Sequence, residues 1–520
     1  MKHISSILLG CTALLSFAAC SDSDYTDRYL DPSKTTTVSC EKLMTGIFKA
    51  GNDYTYATYY RLWSFDNGLI ARFAQTLGFT NSDGRYLASD GYINDRWVNF
   101  YKIIAQYRIL EKTYNELPDV KKADYEPTLL ISKIFMYDHM QQLVDMWGDI
   151  PFKEAGYLGI TGDIAGSYPS YDKAEDLYKM MMSDLKEVNT KIAGLNSLST
   201  LTLSYLKAQD YINGGDLGIW RKYANALRLR MAMRVADHGS LAEEGKAVIS
   251  EILSDPATYP LLEDNKEFIR VASDNDGFKA EKHVRDGFET SGRGLASYEV
   301  ISRLKGDPRL DILYAKNKEG NYEGLNTHDD YSKQQPLYER PLAQGGNFYS
   351  AVDTATVSRN NDYPGIILMP SEVEFIKAEA YQKGYASGNA KEAFESGIAK
   401  SIEFCYNLNA KATFSDPTPS PSKAEIAVYA TKLWNDASDK LVAIQTQKWL
   451  SFGYFQPIQA WNEIRRTGVP ALYFQKDVTS SICQEIPNRL RYPISERNNN
   501  PKYQTMQSDD TYYRKMFWAK

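Results

Sequence analysis

Histidine and cysteine are scarce in this chain, five of each among 520 residues. His3 stands near the N-terminus, and His139, His238, His283 and His328 are not paired at zincin or zinc-finger spacing. There is no Gly-x-Ser-x-Gly elbow and no glycine-rich phosphate loop ending in Lys-Ser or Lys-Thr. The usual sequence marks of zinc proteases, serine hydrolases and nucleotide-binding enzymes are therefore missing. Beyond the first 19 residues no apolar run approaches the roughly 18–20 residues that a membrane-spanning helix needs. Blocks of like charge are absent, and a net charge of −6 gives nucleic acid no electrostatic reason to bind.

Two of the five cysteines, Cys11 in the N-terminal leader and Cys20 directly after it, stand apart, which leaves Cys40, Cys405 and Cys483 widely scattered. Three such residues do not make a disulfide framework; one bridge at most could form, and buried free thiols fit equally well. Metal-ligand patterns are also thin. Ser273-Asp274-Asn275-Asp276-Gly277 clusters oxygen ligands, but it lacks the register and distal Glu of an EF-hand, so an Asp/Asn-rich turn is expected. No motif supports a structural calcium ion there, and no metal site or cofactor is expected elsewhere. Glycoside hydrolysis needs two carboxylates brought together in space, and nothing singles out two of the 66 acidic residues. A binding protein is favoured over an enzyme, and no catalytic residue is assigned.

What is present begins with the leader. Lys2 and His3 precede an apolar stretch from Ile4 to Ala19, and the small residues Ala18 and Ala19 stand directly before Cys20. That order reads as a secretory signal over residues 1–19. A cysteine at the exit reads as a lipoprotein processing site, with Cys20 as the lipid-attachment residue and residues 20–36 as a tether. An ordinary signal peptide cut near Ala19 would leave Cys20 an incidental thiol, but Ser21 to Arg28 looks like a tether, not the start of a fold. Membrane attachment would then rest on acyl chains, several of which anchor firmly where one binds reversibly.

Over residues 37–520 helical periodicity dominates. Ala174, Leu177, Tyr178, Met181, Leu185, Val188 and Ile192 share one helix face, with Asp172 and Glu175 as a capping box and Gly194 as the stop. Trp220, Tyr223, Ala224, Leu227, Met231 and Val235 repeat the pattern as far as Gly239, with Arg221, Arg228, Arg230 and Arg234 expected on a solvated or ion-paired face. A third helix is predicted from Pro370 with a Ser371/Glu374 cap and Gly384 as its end, and a fourth from about Asn389 through Ser401. The last two form a helical hairpin of tetratricopeptide-like length, about 34 residues, without most of that repeat's signature residues. Long irregular stretches run over 78–94, 260–293 and 319–364, with a Pro/Ser loop at 417–422. Stretches of that length inside a compact domain are usually functional.

The C-terminal third carries Ile444-Gln-Thr-Gln-Lys-Trp449, a segment from Gln459 through Trp461 and Arg465-Arg466 to Pro470, and Ile486-Pro-Asn-Arg-Leu-Arg-Tyr-Pro-Ile-Ser-Glu496. Upstream stand Met146-Trp-Gly-Asp-Ile-Pro-Phe-Lys-Glu-Ala155, the basic run Trp220 to Arg234, Asp307-Pro-Arg-Leu310, and Ile366 to Ala380. In this order and spacing the set resembles the SusD/RagB family of nutrient-binding outer-membrane lipoproteins. The resemblance implies a mostly α, SusD-like single domain with tetratricopeptide-like helix pairs and long loop excursions. It implies an outer-membrane location facing the exterior, and a SusC-like TonB-dependent transporter as partner, to which an oligosaccharide or a peptide is passed. Ser21-Asp-Ser-Asp24 is similar to the surface-export tag of such lipoproteins. Trp449, Trp461, Arg465 and Arg466 are expected to be architectural.

The ligand-contacting loops of that family vary, so candidates come from chemistry. Sugar binding needs aromatic faces with amide, carboxylate or guanidinium groups nearby, and the chain holds 38 tyrosines. Two loops offer both: Asn81, Asp83, Arg85, Tyr86 and Tyr92 in the first, and Tyr338, Asn347, Phe348 and Tyr349 in the second. Alternatives to oligosaccharide capture are a peptide or glycopeptide ligand, a glycan hydrolase, and a transporter lid with little affinity of its own.

Overall fold

The computed structural model describes residues 39–195, 197–273, 280–344 and 346–520. The leader, Cys20 and the tether lie outside the described residues, as do residues 274–277 of the oxygen-rich turn. Of the α-helices, the N-terminal half supplies α1 (Cys40–Ala50), α2 (Asp90–Asn115), α3 (Asp119–Trp147), α4 (Ala174–Gly194), α5 (Thr200–Gln209), α6 (Leu217–Val235) and α7 (Ala242–Ser254). The C-terminal half supplies α8 (Ala280–Glu289), α9 (Tyr331–Tyr338), α10 (Pro370–Gln382), α11 (Ala390–Asn409), α12 (Lys423–Asp436), α13 (Lys440–Phe452) and α14 (Pro457–Thr467). A π-helix, Arg61–Ile70, lies between α1 and α2. Strands β1 (Ile269–Val271) and β2 (Gly365–Leu368) pair antiparallel.

The architecture is helix against helix: α2 packs on α3, α4 on α6, α10 on α11 and α13, and α11 on α12. One continuous apolar core runs through these pairs, and a small satellite forms around Leu295, Leu325 and Tyr349. The α10–α11 hairpin is the one expected from its pattern. Gly384 closes α10 at φ +73°, a conformation that favours glycine, and Asn389 caps α11 by accepting from Glu392 N–H. Two expected caps fall elsewhere. Asp172 accepts from the backbone of Phe152 and Lys153, and Asp149 takes the Ala174 N–H at the start of α4. Ser371 bonds Ser451, while Glu374 pairs with Lys377 and Lys400. Two stretches read as irregular contain helices. In α8, Ala280, Val284 and Phe288 form a buried stripe four residues apart, and in α9 Gln334 is fully buried. The three described cysteines are free and buried, so neither a bridge nor a reactive thiol is available; burial raises Cys40 and Cys483 to about 11.

Of the two expectations for the arginines of α6, the ion-paired one holds: Arg228, Arg230 and Arg234 are buried and each meets a carboxylate. Arg230 forks onto Glu372 of α10 at 2.6 and 2.7 Å, and Arg234 reaches Glu463 of α14 at 2.9 Å. Arg466 of α14 clasps Glu379 of α10 at 2.7 Å and Glu463 at 2.6 Å, and Lys448 of α13 joins Glu463 at 3.2 Å. Arg309 forks onto Asp307 and also reaches Gln447. Trp449 donates to the Ala74 carbonyl at 2.9 Å, and the Arg465 guanidinium lies 3.6 Å from the Trp461 ring centre. The polar and aromatic residues of 444–470 are thus architectural, as expected.

Removing one partner of a buried ion pair leaves an uncompensated charge and costs about 3–5 kcal/mol. Arg466→Ala is therefore expected to lower the unfolding free energy by that amount in chemical denaturation. Acid acts on the same network. Burial by itself would raise Glu463, but Arg466, Lys448 and Arg234 outweigh it and hold the carboxyl at about 2. Glu379 is likewise held well below the usual carboxylate range against its burial, chiefly by Arg466. Folded values below the unfolded ones mean stability that is present above about 4.5 and lost as pH falls toward about 2. Denaturation midpoints should decline across that window and decline less in Glu463→Gln; equal slopes would clear this network of the acid sensitivity.

Candidate functional site

Residues 54–63 carry four tyrosines and a tryptophan in ten positions. Tyr54 and Tyr56 turn into the core, while Tyr59, Tyr60 and Trp63 remain partly open to solvent. Wound as a π-helix, the chain gives Trp63 and its neighbours angular positions that an ordinary helix would not, and such turns are frequent at functional sites. Tyr59 stacks on Trp63 with ring centres 5.9 Å apart and planes at 29°. Tyr92, at the start of α2, meets both Tyr60 and Trp63 edge-on at 6.1 Å. The Tyr59 N–H is held by Nδ1 of His283 on α8 at 3.1 Å. Burial lowers the His283 pKa, which keeps that nitrogen an acceptor.

Two guanidinium groups complete the face. Arg293 stands 4.6 Å from the centre of the Trp63 ring, and Arg72 follows directly on the π-helix. Tyr338, the last residue of α9, closes over Gly292, where a Cβ would meet its ring and hydroxyl at 2.7 Å; φ of +63° there also favours glycine. Burial and the nearby Arg293 push the Arg72 guanidinium down to about 9, and burial lowers Arg293 as well. Trp63 Nε1, Arg72 Nε and Arg293 Nε are buried donors without hydrogen-bond partners among the described residues. Alongside, exposed His328 and Tyr473 stack at 4.0 Å with planes 10° apart. Gln75 donates to the Tyr473 carbonyl at 2.6 Å and links this second platform to the chain just after Arg72.

The structure brings the two expected loops together but turns several of their candidates inward. The Asn81 amide donates to the Thr327 and Asp329 carbonyls at 2.9 and 2.8 Å, and its backbone N–H meets Gln334. Arg85 bonds the carbonyls of Asn81, Ser82, Gln475 and Lys476, and the Tyr86 hydroxyl bonds Gln475 O at 2.7 Å. Tyr349 is buried in the satellite cluster, and Asn347 accepts from the Tyr349 N–H. Phe348 is half-buried, 5.4 Å from the Arg340 guanidinium. Asn81, Arg85, Tyr86 and Tyr349 thus pin the loops and do not present themselves to a ligand. Tyr92 and Tyr338 do lie on the aromatic face, and Asp83 is exposed. Tyr59, Tyr60, Trp63, Arg72 and Arg293 were not anticipated; the density of aromatic rings at 54–63 was the available signal.

Two larger concavities lie elsewhere. One of about 280 Å³ is bounded by Asp149, Lys173, Asp176, Arg489 and Arg514, and its charges are largely spent on partners such as Asp149 with Lys173 at 2.9 Å. Another of about 390 Å³ lies between Glu263, Glu374, Lys377 and Glu392. The first also has Trp147 and Phe517 in its wall, but its Arg489 is tied to the Asp509 carbonyl and lies 3.6 Å from Asp510. Among the described residues no group of three or more His, Cys, Asp or Glu is placed to hold a metal ion.

A family profile described as SusD-like_2, starch-binding associating with outer membrane, matches residues 32–493. The chain belongs to the SusD-like family. No curated protein sequence matches it. Among solved structures, a chitin-binding protein is 22% identical with a TM-score of 0.71, over 92% of this chain and 99% of that one. A chitin-binding SusD homologue from Flavobacterium johnsoniae is 20% identical with a TM-score of 0.66, over 91% and 98% of the two chains. A SusD homologue from Parabacteroides distasonis is 20% identical with a TM-score of 0.69, over 93% and 98%. At such identities the likeness is one of fold, and it agrees with a structure that is 59% helical. No helix among the described residues is long and apolar enough to cross a membrane.

Loop pinning and ligand contact separate by mutation. Asn81→Ala strands two buried carbonyls and should cost about 1–3 kcal/mol of unfolding free energy. Asp83→Ala, on the exposed tip of the same loop, should stay within about 0.5 kcal/mol of the unaltered chain. Denaturant titration of both variants decides, and equal midpoints would show that Asn81 does not hold the loop.

Proposed function

We propose that this chain is a lipid-anchored protein of the outer-membrane surface that captures an oligosaccharide and delivers it to a SusC-like TonB-dependent transporter. The observation that carries the reading is the face formed by Tyr59, Tyr60, Trp63 and Tyr92, with unpartnered donors on Trp63, Arg72 and Arg293. Ring faces cover the apolar side of a sugar, and N–H donors meet its hydroxyls. The family description joins starch binding to the outer membrane, and two solved relatives are named for chitin binding. The role is binding without turnover and calls for no cofactor: the carboxylates on either side of Tyr92 are already engaged, Asp90 by Arg497 and Asp95 by the Tyr60 hydroxyl. Attachment is through acyl chains on Cys20.

Titration of the purified full chain in detergent against an oligosaccharide panel should give saturable binding. Trp63→Ala and Tyr92→Ala should weaken it at least about tenfold, ~1.4 kcal/mol, while Tyr86→Phe leaves it unchanged. Absence of saturable binding across the panel would overturn capture and favour a lid that only closes the transporter. Cys20→Ala should still be exported but should leave the cell surface in fractionation; a variant that stays membrane-bound would refute the anchor.

A further inference from the structure

Most buried guanidinium groups in this protein have an oxygen partner. Arg230, Arg234, Arg309 and Arg466 each hold a carboxylate. Arg96 and Arg465 lack a close carboxylate but bond Gln142 Oε1, and the Asp145 and Asn488 carbonyls, respectively. Arg72 and Arg293, both half-buried, differ: among the described residues neither side chain has any hydrogen-bond acceptor or ion pair, whereas Arg96, Arg234 and Arg465, whose Nε is likewise orphaned, reach oxygen through their other nitrogens. They share one neighbourhood, since Arg293 and Tyr338 both act electrostatically on Arg72. Carboxylates on adjoining segments are committed elsewhere, Asp95 to Tyr60 and Glu289 to Arg359 and Ser358. Two like charges held together without a counter-charge are unfavourable, and an unmet buried donor costs about 1–3 kcal/mol.

The arrangement is favourable once an anion arrives. A guanidinium offers a planar fork of donors that matches the oxygens of a carboxylate or a sulfate, and such charge-assisted bonds are about twice as strong as neutral ones. Trp63, stacked with Tyr59 and overlain by Arg293, holds the guanidinium beside the rings of Tyr59, Tyr60 and Tyr92, against which the sugar carrying that anion would lie. We infer that the oligosaccharide bound on this face carries anionic groups, carboxylate or sulfate, recognised by Arg72 and Arg293. This rests on the reading of the face as the glycan-binding surface.

The test is calorimetric titration of the purified full chain in detergent with three sets of oligosaccharides: neutral, uronate-bearing, and sulfated on a neutral backbone. At least one acidic set should bind at least tenfold tighter than the neutral one, and added salt should weaken that binding. Preference between the acidic sets identifies carboxylate or sulfate. Arg72→Gln and Arg293→Gln should each lose about ten- to a hundredfold for the acidic ligand and little for a neutral one. The salt dependence is read on the unaltered chain and does not require the variants to fold. Binding of neutral glycans that equals or exceeds acidic binding, lost in Trp63→Ala but unmoved by salt or the arginine variants, would overturn the anionic ligand and keep the glycan face. Glycan binding indifferent to Trp63→Ala, or no glycan binding, would overturn the face itself and this inference with it.

Discussion

The buried charges between α3, α6, α10, α13 and α14 are the constraint on which the rest of the structure depends. Taking a guanidinium or carboxylate out of water costs several kcal/mol per ion unless it is paired and fully hydrogen-bonded. Arg230, Arg234, Lys448 and Arg466 meet Glu372, Glu379 and Glu463 from different helices, so the requirement is satisfied in one relative placement of those helices. Apolar stripes tolerate small slides between helices; a bidentate fork does not. The network therefore fixes geometry even where its net contribution to stability is modest, and it explains why the segments that mark the family are so rich in charge.

A rigid scaffold matters because the candidate face is assembled from parts that are far apart in the chain. Trp63 comes from the π-helix, Tyr92 from α2, Arg293 from the turn after α8 and Tyr338 from α9. The loops between them are held by buried polar residues, so the rings and guanidinium groups are ordered before any ligand arrives. Ordering beforehand lowers the entropic cost of binding. The inward-facing Asn81, Arg85 and Tyr86 thus serve the face without belonging to it.

Periodicity and motif order made the helical scaffold legible, and the turn of the α10–α11 hairpin, with its Gly384 stop and Asn389 start, could be read from the sequence, although α11 runs eight residues past Ser401 to Asn409. Side-chain roles were harder wherever the partner is remote. Asp172 and Glu175 have the spacing of a capping box, yet Asp149, more than twenty residues earlier, takes the N–H that starts α4. Asn81 and Arg85 have the composition of a ligand loop, but their acceptors are carbonyls at Thr327, Asp329, Gln475 and Lys476, which no local pattern announces. Trp63 escaped notice for another reason: a π-helix breaks the 3.6-residue rhythm by which helical faces are recognised. For the arginines of α6 the sequence left a solvated and an ion-paired face open, because the carboxylates that decide between them are 142 and 229 residues away from Arg230 and Arg234.

The same bookkeeping of charge separates scaffold from site. Inside the helix pairs Arg230, Arg234, Lys448 and Arg466 each have a carboxylate, and the charges around the cavity of about 280 Å³ are mostly paired as well. On the aromatic face two guanidinium groups, Arg72 and Arg293, have no acceptor on any of their nitrogens among the described residues, and the rings beside them are partly open to solvent. A shallow face covers one side of a sugar chain and leaves the other in water, so the buried area is small and few bonds must break for release. A deep pocket would demand a chain end of fixed size. An open platform accepts an internal stretch of a long polymer and can give it up again, as the proposed delivery to a transporter would require.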